Sequence, residues 1–307
     1  MGSVVAKNSA QSESSLHPRN RHGGRYDFAA LVRVRPELAG YVERSPVGEP
    51  TIDFANPDAV RTLNAALPQR YYGVTDWDIP PGYLCPPVPG RADYVHHLAD
   101  LIADGRPAPE RNRGEVVVLD IGVGANCIYP IIGVAEYGWR FVGADIDPVA
   151  LASAQRIVSA NARLAAHVEL RRQNSANAVF AGIVKPGETF AATLCNPPFH
   201  ESAAEASQAT GRKLRNLSGG WRVAPVLNFG GRANELWCAG GEVAFIRRMI
   251  AESMRRPQLC RWFTTLVSKR DSLAPIERSL AAARPAEVRI IPLAQGQKKS
   301  RILAWRF

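Results

Sequence analysis

The stretch Asn196-Pro-Pro-Phe199 follows an apolar run, Phe190 to Cys195, and joins residue types that suit one task. The Asn196 side-chain oxygen is an acceptor, and the Pro197 carbonyl is a second one. The prolines hold that carbonyl in a fixed direction at little entropic cost. Phe199 offers a face on which a base can stack, worth about 1–3 kcal/mol. Such a set suits a flat exocyclic amine, whose lone pair is delocalised into its ring. Two acceptors holding both amino hydrogens draw the nitrogen towards tetrahedral geometry and aim its lone pair at an electrophile. A base inside a helix must first be flipped out or already be unpaired. The reaction asks for orientation and electrostatics, with neither a metal nor a general base. His200 is therefore read as a loop histidine and Cys195 as a small buried residue.

A second candidate lies upstream. Leu119-Asp-Ile-Gly-Val-Gly124-Ala-Asn126 follows a valine-rich strand and opens a helix. Gly122 and Gly124 allow a sharp turn with close backbone approach to a ligand beyond the strand's carboxyl end. A dinucleotide fingerprint would place another glycine where Cys127 stands, so a pyrophosphate cradle fits less well. Asp145 ends the next strand and could hold a ribose diol, with Asp147 as competitor. Asp120 is expected to fix the turn.

These two turns need an alternating scaffold. Strands are expected at 115–121, 141–146, 167–172, 190–195 and 261–268, with 288–293 and 301–307 as a closing hairpin. Helices are expected at 127–137, 148–164, 241–255 and 273–283. Alternation of this kind gives an α/β fold with a mostly parallel sheet covered on both faces. Both turns then leave the same sheet edge. Residues 26–105 are mainly helical, with Asn56 capping a helix that begins at Pro57. Tyr83–Gly90 is read as an extended connector and Arg91–Asp104 as a helix. Three parts result: a flexible basic arm (1–25), a small helical domain (26–105) and the α/β domain (106–307). Residues 201–240 show no period.

The 307 residues carry a formal net charge of +10, which favours a polyanionic partner such as nucleic acid. His17–Arg25 holds Arg19, Arg21 and Arg25 with no acid. Arg212, Lys213, Arg215 and Arg222 crowd the aperiodic loop, and Lys298, Lys299 and Arg301 the closing hairpin. Five cysteines without CxxC spacing argue against a zinc site or disulfide framework. No apolar run reaches membrane-span length and no signal-peptide core is evident, so a cytoplasmic protein is expected.

A strand, Asp-x-Gly-x-Gly, a helix and a strand ending in an acid resemble the class I methyltransferases. That implies a Rossmann-like, seven-stranded sheet and S-adenosylmethionine as cofactor. Further motifs narrow the resemblance: His17-Pro-Arg-Asn-Arg, Asp53-Phe-Ala-Asn-Pro, Val88-Pro-Gly-Arg91, Asp120 to Pro130 and Cys195 to His200. Together they resemble the bacterial 23S ribosomal RNA adenine-N6 methyltransferase family, with wider kinship to methyltransferase-16-type RNA adenine methylases. The resemblance implies that Arg91 reaches the cofactor carboxylate, while Gly122 to Asn126 line its methionine and ribose portions. It also implies that Asp145 holds the ribose and that Ser175 or Asn174 sits near the adenine. Asn196, Pro197 and Phe199 would handle the target adenine, and the basic arm and helical domain would grip RNA. A monomer acting on immature or deproteinised 23S ribosomal RNA is implied. Another structured RNA, or a protein glutamine side chain, is the alternative substrate.

Overall fold

The computed structural model describes residues 16–103, 116–198, 200, 235, 237–295 and 298–307, with the backbone alone at 294–295 and 298–299. Expectations for the first fifteen residues, the 105–114 loop, Phe199 and the basic residues of the 201–234 loop lie outside the described residues.

The helix α1 (Phe28–Val34) begins at an Asp27 cap, and a 3-10 turn follows at Pro36–Tyr41. A small antiparallel hairpin, β1 (Val42–Arg44) with β2 (Pro50–Ile52), went unforeseen among these helices. The next helix, α2 (Pro57–Tyr72), starts where the sequence places it. The Asn56 side chain accepts from the Asp58 and Ala59 amides, and Pro57 fills the first position, where no donor is needed. In contrast, α3 (Val88–Ala103) begins three residues before the expected Arg91. Pro89 and Gly90 lie inside its first turn, where the ring costs no intrahelical hydrogen bond, so they do not delay the start.

The α/β region alternates as expected. Strand β3 (Val117–Ile121) leads into α4 (Ile128–Tyr137), then β4 (Arg140–Asp145) and α5 (Pro148–Ala160). The expected single helix through Leu164 breaks at Asn161, after which α6 (Ala162–Ala165) is one short turn. The Asn161 amide group donates to Ile157 O and Thr75 O, and its oxygen accepts from Thr75 N; these tertiary bonds end the helix. Then come β5 (Val168–Arg172), β6 (Phe190–Cys195), α7 (Gly241–Arg255), β7 (Cys260–Val267) and α8 (Leu273–Ala283). The closing hairpin, β8 (Glu287–Gln295) with β9 (Lys298–Arg306), is longer than its apolar core suggested.

Seven strands form one sheet in the order β5-β4-β3-β6-β7-β9-β8. The first five are parallel, and β9 runs antiparallel to both β7 and β8. This is the Rossmann-like arrangement that the sequence implied. One apolar core joins α1–α6 to one face of the sheet; a second packs α7, α8 and residues 179–183 on the other. Among the described residues, no helix is long and apolar enough to cross a membrane.

The His17–Arg25 stretch is docked, with His17, Asn20 and His22 buried. The His17 amide donates to Asp93, and His22 bonds the hydroxyls of Tyr72 (2.6 Å) and Tyr26 (3.2 Å). Burial, and then the Arg21 charge, pushes the His22 imidazole down to about 4. Burial, with His17 and Arg19 nearby, pushes His96 down to about 3. An unfolded histidine titrates near 6.5.

Two outcomes follow from this packing. As pH falls below about 6.5 the unfolded chain takes up protons that His22 and His96 refuse in the fold. Stability is therefore full above that pH and declines towards pH 4, by up to about 1.4 kcal/mol per unit and per histidine. Urea unfolding at pH 7.5 and pH 5 should show a lower midpoint at pH 5, with the difference reduced in His22→Gln; equal wild-type midpoints would refute it. Secondly, a Cβ on Gly133 would lie 2.4 Å from the buried Phe141 ring. Gly133→Ala should cost about 1–3 kcal/mol in the same assay.

Candidate active site

Strand β3 sits between β4 and β6, all parallel, with Ile121 opposite Ala144 on one side and Cys195 on the other. Gly122, Asp145 and Asn196 consequently leave the sheet at one edge, where the strand order reverses and α/β ligands bind. Gly122 (φ +76°) and Gly124 (φ +67°) take the left-handed backbone that L side chains resist. The Gly122 and Val123 amides donate to Ala144 O at 2.8 and 2.9 Å. The Gly124 amide donates to the Asp145 carboxylate at 2.9 Å. Asn126 completes the turn: its side-chain oxygen accepts from Ile128 N, and its own carbonyl accepts from the Trp77 indole.

Asp120 does not fix this turn. Its carboxyl is fully buried, and neither oxygen has a hydrogen-bond partner. Burial, and then the Asp145 charge, pushes it well above the usual carboxylate range, while Arg91 pulls the other way. Asp145 is the residue that ties the turn, which the sequence could not assign.

A cavity of about 340 Å³ opens along this edge. Arg91, Gly122 to Gly124, Asn126, Asp145, Ser175, Asn196 and Pro197 all line it, whereas Asn174 does not. Arg91 is buried against Tyr129, donating to its hydroxyl at 2.7 Å. Among the described residues it has no carboxylate within 4 Å, so a buried cation faces the cavity uncompensated. Asn196 brings its side-chain oxygen, buried and without a partner. Asp147 also lines the cavity, but its carboxylate already caps α5 and accepts from the Tyr83 hydroxyl at 2.8 Å.

Two residues were missed. Gln173 accepts from Ser175 N and donates to Ala181 O, shaping the wall beside Ser175. Glu252 of α7 accepts from the amides of Val179, Phe180 and Ala181 at 2.7, 2.8 and 3.0 Å. Both act through contacts that no local pattern carries. Trp237, Phe245 and Arg248 also border the cavity.

The basic candidates are placed elsewhere. Arg19 pairs with Asp100 and donates to Tyr137; Arg21 pairs with Glu136; Arg25, 78% exposed, pairs with Glu49. Arg301 lies in β9 opposite Val267, with one guanidinium nitrogen buried and unpartnered. Lys298 and Lys299 begin β9, and their side chains lie outside the described residues.

A buried guanidinium without a carboxylate partner and an acid at the next strand end, both lining the cavity, fit a ligand with a carboxylate and a ribose diol. S-adenosylmethionine has both groups. Asp145 keeps acceptor capacity for a diol beyond its two backbone amides.

The comparisons agree with this geometry. The model of a family described as RNA methyltransferase matches residues 10–307. A protein of Ectopseudomonas mendocina named ribosomal RNA large subunit methyltransferase F is 54% identical over 305 residues, covering 99% of this chain and 92% of the relative. Its namesake from Salmonella schwarzengrund is 54% identical, with coverage of 96% and 94%. Among solved structures, the hMettl16 catalytic domain in complex with MAT2A 3'UTR hairpin 1 aligns with a TM-score of 0.82 at 29% identity, covering 95% and 96%. The N-terminal domain of human METTL16 in complex with SAH gives 0.75 at 26%, covering 95% and 98%. With fold, cavity and relatives in accord, this chain belongs to the RNA methyltransferase family.

Proposed function

We propose that the chain transfers a methyl group from S-adenosylmethionine to the exocyclic N6 of an adenine in large-subunit ribosomal RNA. One observation carries the reading: Asn196 brings a buried, unpartnered acceptor to the cavity that Gly122, Gly124 and Asp145 line. The relatives named for the large ribosomal subunit support the RNA class, and the complex with SAH supports the cofactor.

Arg91 would take the cofactor carboxylate, gaining the anionic partner it lacks; Asp120 does not line the cavity, so no contact with the cofactor is assigned to it. Gly122 to Asn126 present backbone to its methionine and ribose portions, Asp145 accepts from the ribose, and Ser175 borders the adenine. When bound, the cofactor supplies a sulfonium-activated methyl group. Asn196 Oδ1 and the Pro197 carbonyl each hold one hydrogen of the target amine and so aim its lone pair. Phe199 is assigned the stacking platform from the sequence. The proton released on transfer passes to water, since neither carbonyl is basic enough to keep it.

Arg19, Arg21, Arg25, Lys298, Lys299 and Arg301 are proposed RNA contacts. Arg25 is the most exposed of the arm's three and the readiest to exchange its carboxylate for a phosphate. Immature or deproteinised RNA is the proposed substrate, because unstacking an adenine costs less there than in a finished particle. A monomer is the proposed acting form, and the cytoplasm the proposed place of action.

Labelled cofactor with protein-free 23S ribosomal RNA, followed by nuclease digestion and mass spectrometry, tests the reaction. N6-methyladenosine at one position is the expected product. Label appearing in a structured small RNA or a protein glutamine instead would overturn the substrate. Asn196→Ala should lower kcat by about 10²–10³-fold, comparable to losing one preorganised transition-state contact. Calorimetry with S-adenosylhomocysteine should show Arg91→Lys weakening Kd about tenfold, or about 1.4 kcal/mol.

A further inference from the structure

Strands β6 and β7 pair at Phe190–Cys260 and Ala192–Trp262, and their ladder stops there. Three residues of β6 remain before the Asn196 tip. The Thr193 carbonyl on the β7 side therefore needs another partner, since a buried unpaired carbonyl costs about 1–3 kcal/mol. Thr264 supplies it. Its hydroxyl donates to Thr193 O at 2.6 Å, while its amide donates to the Thr193 hydroxyl at 2.7 Å. The Thr193 hydroxyl in turn donates to Thr264 O at 3.1 Å. Tyr94, on α3, backs this pair: its phenol oxygen lies 2.8 Å from Thr264 Oγ1.

The directions of these bonds form one consistent chain. Thr264 Oγ1 spends its proton on Thr193 O, so Tyr94 must donate to Thr264. The path runs from Tyr94 on α3 through Thr264 of β7 to the Thr193 carbonyl of β6. Tyr94, Thr193 and Thr264 are all fully buried, so no water competes. Resting on the function proposed above, we infer that Tyr94 is a positioning residue for methyl transfer. Its hydroxyl steadies Thr264, which holds the Thr193 carbonyl three residues before Asn196, and thereby the direction of the Asn196 and Pro197 acceptors. It touches neither cofactor nor target.

Tyr94→Phe removes one oxygen and leaves the ring in place. Single-turnover methylation of 23S ribosomal RNA should slow about tenfold or more, with the S-adenosylhomocysteine and RNA Kd values each within about twofold of wild type. Thr264→Val should behave likewise, Thr264→Ser should restore the rate, and Tyr94→Phe with Thr264→Val should be no slower than either alone. Amide exchange at Thr264, whose N–H the Thr193 hydroxyl holds, should quicken at least tenfold in Tyr94→Phe while the amides of β3 keep their protection. A Tyr94→Phe rate within twofold of wild type would overturn the positioning role. Unchanged exchange at Thr264 would overturn the brace itself, whatever the substrate. Absence of transfer by the wild type would overturn the functional reading instead, and the exchange measurement would still decide the brace. If Tyr94→Phe fails to fold, the Thr264→Val and Thr264→Ser rates decide the same question.

Discussion

Everything at the site depends on how three parallel strands are aligned. Ile121 lies opposite Ala144 and Cys195 in one row, and each strand stops within a residue or two of that row. A slip of one residue in either pairing would reverse which side chains face the site. The glycine turn, Asp145 and the Asn-Pro-Pro tip would then no longer share an edge. The Gly122, Val123 and Gly124 amides are satisfied within the sheet and turn, whereas the Asn196 side-chain oxygen is not.

That contrast between satisfied backbone and unsatisfied side chains gives the cavity its character. Arg91, Asp120 and Asn196 are held without full partners in surroundings that penalise such a state. The fold supports the cost with long-range hydrogen bonds elsewhere, from Trp77 to Asn126 and from Tyr83 to Asp147. On the proposed reading, a zwitterion and an amine would relieve Arg91 and Asn196, so ligand recognition would use energy already stored in the site.

Much of this was legible in the sequence. Strand β6 and helices α7 and α8 were placed to the residue, because apolar period and turn residues act locally. The Asn56-Pro57 start of α2 was legible for the same reason. The glycine turn and the Asn-Pro-Pro tip were found by residue type, and their meeting at one edge followed from strand alternation. What escaped were roles set by distant partners. Asp145 rather than Asp120 ties the turn, Asn161 ends α5 by gripping Thr75, and His17–Arg25 docks through residues 49 to 137. No short window carries those pairings. The start of α3 was misplaced because a proline was read as a barrier where it is tolerated.

The Glu252 carboxylate has a consequence for the order of folding. The segment Val179 to Ala181, which carries the cavity wall at Ala178 and Val179, lacks internal partners for three amides and takes them from a side chain more than seventy residues later. Closing so long a loop costs entropy before the contact returns anything. During synthesis the glycine turn can form as soon as β4 has emerged, whereas this wall cannot take shape until α7 has left the ribosome and packed. One side of the cavity is therefore an early, local structure and the other a late, tertiary one. A chain cut short before α7 would own the cradle without the wall that closes it.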